Sequence, residues 1–357
     1  MVADRAALAA VLRGTAWPES DAVAAWFALA EAEGVAVPFA RGALQQTDAR
    51  WHAPARLALQ AETARELWFA ASEQRALAAL AQSGLRVLVL KGAALARWLY
   101  ADPSARPRGD LDVLLSDQAA VPDCTRALAA AGYAPSGYAV LPPSFETSLV
   151  RQGSGVAHVV DVHWRLANHI VFADCFGFEE LYADSVPLPG FPALRRLSAV
   201  HALLHACLHR VSNLRLVDGD RLVWLADIDL LARVFTAADW LRFEQLAIER
   251  GVAGPCAAAL AASAAAFATP LDAALNARLV AAAGSERFDM ARAGSAWYYF
   301  RWTLRLQPWP QRARFLWRKA FPGFDYMRDQ YGVQRPSRLP LAYLRRALVV
   351  LRRFVSG

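Results

Sequence analysis

Gly109-Asp110-Leu111-Asp112-Val113-Leu114-Leu115 places two carboxylates, one residue apart, at the head of an apolar run. Side chains on a strand alternate between its faces, so Asp110 and Asp112 share one face while Leu111 and Val113 turn to the core. Two such carboxylates repel each other and lose hydration when buried, and a divalent cation between them relieves both costs. Taken alone, the pair reads first as two exposed acids at a strand edge. The surrounding sequence changes that balance.

Downstream, Val159-Val160-Asp161-Val162-His163-Trp164-Arg165 alternates again. Asp161, His163 and Arg165 fall on one face, and Val160, Val162 and Trp164 on the other. A strand here, paired beside the first, brings a third carboxylate to the same side. Three carboxylates suffice for two Mg²⁺ ions that clamp a transferring phosphoryl group. Upstream, Val87–Leu90 is a short apolar run between Gly84 and Gly92, which suits a buried strand. Leu90-Lys91-Gly92-Ala93-Ala94-Leu95 then reads as a strand-to-helix turn. Gly92 allows close backbone approach, the helix start favours an anion, and Lys91 adds a point charge. A glycine that merely makes a tight turn is the plain alternative.

Around this centre the pattern is helical. Asp21–Glu33 and Pro54–Gln82 carry apolar residues at spacings of three and four, with Gly34 and Gly84 as stops. Ala93–Tyr100 returns to helical spacing, and Asp102–Gly109, with two prolines and a glycine, is a loop. Asp117–Ala131 predicts a helix with Ser116 or Asp117 as its cap. Phe145–Arg151 and Val156–Arg165 predict two strands joined around Gly153-Ser154-Gly155. From Pro192 helices resume: Leu194–Arg210, Asp220–Phe235, Ala237–Arg250 and Pro255–Phe267. The tail divides into an aromatic-basic stretch, a Pro- and Gly-rich loop and a final helix, Leu341–Phe354. The expected organisation is α+β: a helical region over 1–84, a small mixed sheet within 85–190, a helical domain over 191–300 and a basic aromatic segment over 301–357.

Whole-chain numbers bound the class. The 357 residues suit two or three domains, and the hydrophobic fraction of 56% lies mostly in Ala, Val and Leu spread along periodic helices. No charge-free run of about 18 apolar residues predicts a membrane span. Met1-Val2-Ala3-Asp4-Arg5 lacks the order of a secretion signal, so a cytoplasmic location is expected. Four scattered cysteines, Cys124, Cys175, Cys207 and Cys256, read as reduced thiols. Net charge is +7, yet residues 301–357 hold 13 Arg or Lys against Asp325 and Asp329. The rest of the chain is therefore net acidic, and the C-terminal segment is the part that attracts an anionic partner.

Together, Leu90-Lys91-Gly92-Ala93-Ala94-Leu95, Tyr100 and Arg106-Pro107-Arg108-Gly109-Asp110-Leu111-Asp112-Val113-Leu114 resemble the uncharacterised nucleotidyltransferase family of bacteria, within the polymerase-β-like superfamily. Val160–Leu166, Leu203–His209 and Trp224–Ile228 resemble later parts of that family, so the likeness spans about residues 60–330. It implies a small mixed-sheet nucleotidyltransferase core flanked by N-terminal and C-terminal helical regions. It also implies Mg²⁺ or Mn²⁺ held by Asp110, Asp112 and Asp161, with Asp161 on the ion that activates the acceptor hydroxyl. Gly92 would approach the NTP phosphates, with Lys91 and Arg106 as charge partners. Ala93 stands where the superfamily turn commonly carries Ser or Gly. The implied reaction moves a nucleoside monophosphate to a hydroxyl of a small molecule, peptide or RNA. The rival expectations are a non-catalytic nucleotide-binding or scaffold protein on a degenerate fold, and a toxin-type enzyme acting on RNA.

His201, His205 and His209 recur every four residues and share a helix face. Packing or a substrate-side role fits them better than zinc, since no acid completes a HExxH arrangement. His163 is expected to orient Asp161 or contact phosphate. The interleaved Trp302, Trp309, Phe315, Trp317, Phe321 and arginines of the tail suit an amphipathic cap first, then nucleic acid, then a membrane surface.

Overall fold

The computed structural model describes residues 3–15, 17–19, 21–136, 144–153, 156–214, 220–286, 288–289, 292, 295–333 and 335–355. Contacts divide the chain into a large unit ending at Ala293 and a second unit over Gly294–Gly357.

Four helices open the large unit: α1 Arg5–Leu12, α2 Val23–Ala32, α3 Ala36–Ala43 and α4 His52–Gln82. α4 is rich in Ala, Leu, Glu, Gln and Arg, all strong helix formers, and buries Phe69, Ala76, Leu77 and Leu80 at helical spacing. Gly34 and Gly84, both at positive φ, end α2 and α4 as expected. There follow β1 Leu88–Val89, α5 Lys91–Trp98, β2 Asp110–Leu114, α6 Val121–Ala130, β3 Ala134–Pro135, β4 Glu146–Gln152 and β5 Ala157–His163. Then come α7 Phe178–Ala183, β6 Val186–Leu188 and β7 Phe191–Arg196. Helices α8 Ala199–Asn213, α9 Leu222–Arg233, α10 Ala237–Glu249, α11 Ala253–Phe267 and α12 Ala273–Ala283 complete the unit.

The seven strands form one mixed sheet in the order β3-β4-β5-β2-β1-β7-β6. One face of it is the core. Val87, Val89, Leu111, Val113, Val160, Val162 and Leu149 pack there against Leu77 and Leu80 of α4 and Cys124 and Leu128 of α6. That burial fixes the register, because a one-residue slip would send each valine to the opposite face. The carboxylates are thereby forced onto the other side. The α+β class and the mixed sheet match the expectation from sequence.

Two local expectations are corrected. The helix expected over Leu194–Arg210 begins only at Ala199, capped by Ser198, whose side chain accepts from the His201 amide. Residues Phe191–Arg196 are instead a strand, parallel to β1 and antiparallel to β6 across Gly190. Their ladder bonds to β1 override a spacing that is also compatible with a helix. The helix expected from Asp117 starts as a 3₁₀ turn, Gln118–Ala120, capped by Asp117. Of the expected hairpin turn, Ser154 and Gly155 lie outside the described residues.

The second unit contains α13 Ala296–Leu306, α14 Trp309–Ala320, α15 Phe324–Tyr331 and α16 Leu339–Val355. The expected Pro- and Gly-rich loop thus holds a helix, α15, closed by Gly332 at φ 65. Among the described residues, no helix is long and apolar enough to cross a membrane.

Candidate active site

β2 and β5 pair in parallel with Asp112 opposite Asp161, so both side chains leave the same face of the sheet. Asp110 leaves it two residues earlier on β2. One ligand oxygen from each of the three acids lies within 4.8 Å of the others, the arrangement a metal ion needs. Asp112 is almost wholly buried, while Asp110 and Asp161 are half-buried.

Each acid is held differently. Lys91 Nζ donates to Asp112 Oδ1 at 2.6 Å, and His163 Nε2 donates to the same oxygen at 2.8 Å. Asp112 Oδ2 has no protein donor among the described residues. Ser148 on β4, opposite Asp161 in the ladder, donates to Asp161 Oδ1 at 2.6 Å and leaves Oδ2 open. Asp110 accepts no protein hydrogen bond among the described residues. His163 Nδ1 faces Glu146 Oε2 at 3.2 Å, so this ring sits between two carboxylates.

The electrostatics follow from these contacts. Asp112 beside it, with burial adding to the effect, pushes the Asp110 carboxyl up to about 7, although Lys91 pulls the other way. Burial alone would raise Asp112 too, but the Lys91 ammonium and the His163 hydrogen bond outweigh it and hold that carboxyl well below its usual range. Burial raises Asp161, partly offset by the Ser148 hydroxyl. One acid is thus firmly ionised and its neighbour is poised near neutrality.

This arrangement has a signed consequence for stability. Asp110 titrates near 3.8 when unfolded and near 7 when folded, so it disfavours the metal-free fold increasingly as pH rises from about 4 through 7. Asp112 and Lys91 stay charged throughout that window, since one is lowered and the other raised. Mg²⁺ would take the place of the proton that Asp110 gives up. Mg²⁺ is therefore expected to raise the melting temperature about 3 °C more at pH 8 than at pH 5.5. Equal shifts at the two pH values, measured by differential scanning fluorimetry, would remove Asp110 from the site.

Lys91 and Gly92 begin α5, but not as an open phosphate turn. Lys91 adopts φ 46, in the left-handed region a non-glycine residue enters at a cost, and its side chain is tied to Asp112. A Cβ on Gly92 would lie 2.6 Å from Arg106 Nη1, so the space beside this glycine is filled by that guanidinium. Arg106 is itself committed. It forks onto Asp227 of α9, Nε to Oδ1 at 3.2 Å and Nη2 to Oδ2 at 2.6 Å, and Tyr100 donates to the same carboxylate. His163 bonds Asp112 rather than Asp161, because it sits two residues beyond Asp161 on β5 and points across to β2. Arg165 lies past the end of β5 and pairs with exposed Asp174, away from the acids.

A cavity of about 540 Å³ opens beside Asp110 and Asp112. Lys91, Gly92 and Arg106 line it, together with His205 and His209 of α8. Burial pushes His205 down to about 3 and lowers His209 as well, so both stay neutral donors or acceptors. His201, by contrast, turns to Asp184 and Ser198. The cavity also contains two residues that sequence reasoning missed. Arg196 lies 3.6 Å over the ring of Trp98, and Arg221 lies over Trp224. Neither forms an ion pair among the described residues, and burial lowers Arg196 to about 10. Arg196 closes a strand that was read as helix, and no motif marks Arg221.

The model of the family described as uncharacterised nucleotidyltransferase matches residues 22–268, which include every residue of this site. The chain belongs to that family. No curated protein and no solved structure matches it. In this member of the nucleotidyltransferases the matched span runs from α2 to the end of α11, so it takes in the N-terminal helices as well as the sheet. Residues 294–357 lie wholly outside it.

Proposed function

We propose that the protein moves a nucleoside monophosphate from an NTP to a hydroxyl of an acceptor, releasing pyrophosphate, with Asp110, Asp112 and Asp161 holding Mg²⁺ or Mn²⁺. The observation that carries this reading is three converging carboxylates, each with an oxygen free of protein donors among the described residues, beside a cation-lined cavity. The donor set fits such an ion. All three ligands are hard carboxylate oxygens, and the repulsion that lifts Asp110 to about 7 is what a cation relieves. A divalent cation bound there would neutralise charge developing on the transferring phosphoryl group.

The chain's own groups do the remaining work. Lys91 and His163 fix the Asp112 carboxylate, so its orientation needs no adjustment on binding. Arg196 and Arg221, unlike Arg106, have charge left for a triphosphate. Gly92 and Arg106 form the cavity wall. As the acceptor oxygen bonds to the α-phosphorus, its proton passes to solvent water, since the open oxygen of Asp161 is the one left for the ion. The bond from the α-phosphorus to the α,β-bridging oxygen breaks, and pyrophosphate departs with that electron pair.

Calorimetry with a non-hydrolysable NTP tests this reading. Binding is expected in Mg²⁺ and not in EDTA, and Arg196→Ala is expected to weaken it about tenfold. Equal affinity with and without metal would leave a nucleotide-binding protein and no metal-dependent transferase.

A further inference from the structure

The second unit carries a basic, aromatic surface to which no residue of the candidate site belongs. It has 13 Arg or Lys against two acids, and it lies outside the span matched by the family. Helix α14 is amphipathic twice over. Phe315 is buried against Phe300, with Lys319 across its ring, so the helix already has an inward apolar anchor. Trp309, Leu316 and Trp317 nevertheless project outward, at 76%, 44% and 65% exposure. They lie seven and eight residues apart, so at about 100° per residue they share one outer face. Arg314 and Lys319 are exposed at the two borders of that face.

The apolar surface continues beyond α14. Trp317 packs on Phe321 with ring centroids 4.6 Å apart, and Phe321 packs on Tyr343 of α16 at 5.5 Å. Tyr343 also donates to the Pro322 carbonyl, which fixes α16 against the end of α14. One turn of α16 then exposes Leu341 at 71% and Leu344 at 60%, beside exposed Arg345.

We infer that the exposed apolar residues of α14 and α16 bind the surface of an anionic lipid bilayer. Outward tryptophans and leucines bordered by arginines supply the two signals that stable interfacial binding takes, apolar insertion and attraction to negative headgroups. Single-stranded nucleic acid would account for the tryptophans and arginines, since bases stack on aromatic rings. It gives no role to Leu316, Leu341 and Leu344, whose exposure is offset by transfer into an apolar phase. A second copy of the chain would set two strongly positive units against each other, so charge argues against a homodimer face.

The test is co-flotation of the full chain with vesicles of phosphatidylcholine alone or with about 30% phosphatidylglycerol. Binding is expected to the anionic vesicles and not the neutral ones, falling at least about tenfold in 0.5 M salt. Trp309→Ala with Trp317→Ala is expected to weaken binding about tenfold, with the far-UV circular dichroism unchanged. Trp309→Phe with Trp317→Phe should keep binding yet lose the quenching of tryptophan emission by brominated acyl chains. That second pair keeps the inference testable even if the alanine pair perturbs folding. A folded chain that ignores anionic vesicles overturns the inference. So does tight binding of a single-stranded RNA oligonucleotide that displaces the protein from the vesicles through these same residues.

Discussion

Asp110→Asn is expected to reduce nucleotidyl transfer by about 10³-fold or more while stabilising the metal-free protein. The loss follows from removing one of three metal-type carboxylates, since charge neutralisation at a phosphoryl centre supplies several kcal/mol of barrier lowering. The gain follows from removing a like charge. Asp112 is the main reason that Asp110 holds its proton up to about pH 7, so at pH 8 in EDTA the two acids repel across the head of β2. A neutral isostere ends that repulsion, and urea denaturation is expected to report about 2 kcal/mol of added stability. The neighbouring acid should behave oppositely. Asp112→Ala removes the shared acceptor of Lys91 and His163 and leaves a half-buried ammonium without that partner. It is expected to lose activity equally and to cost about 3 kcal/mol of stability. Two acids on one strand, with opposite effects on stability and the same effect on transfer, is an outcome that a purely structural role for the pair does not produce.

The second large effect is expected at Asp227. Its two oxygens take the Arg106 fork and the Tyr100 hydroxyl, and both it and Arg106 are buried. Arg106 meanwhile fills the space beside Gly92 at the start of α5. Asp227→Ala would strand a buried guanidinium, and chemical denaturation is expected to register a loss of about 3–5 kcal/mol. Tyr100→Phe, which leaves the fork intact, should cost only about 1 kcal/mol. Similar costs for the two substitutions would show that the fork contributes less than its geometry indicates.

Much of the centre was legible before the structure. The alternation in Gly109–Leu115 and Val159–Arg165 placed Asp110, Asp112 and Asp161 on the faces they occupy, because a buried valine face tolerates no other register. The long helices were legible for a similar reason: strong helix formers fill α4, and Gly34 and Gly84 mark stops. What stayed hidden was which charges cancel. Lys91 and Arg106 read as phosphate partners, yet their partners are Asp112, 21 residues away, and Asp227, 121 residues away. No local pattern encodes such pairings. Arg196 was hidden by a different cause. Pro192 and the spacing of Leu194 and Leu197 suit the start of a helix, and only the ladder to β1 makes the segment a strand. The histidines divide by what each faces, with His205 and His209 on the cavity and His201 turned to Asp184, although all three share one helical spacing.

Asp110, Asp112 and Asp161 are proposed to hold together the divalent cation of a nucleotidyl transfer. Crystals soaked in Mn²⁺ and a non-hydrolysable NTP test this most directly, by anomalous diffraction. An anomalous peak is expected bonded to oxygens of all three acids, with the α-phosphate beside it and the β- and γ-phosphates towards Arg196. Mn²⁺ found elsewhere, or an NTP seated away from the three carboxylates, would contradict it.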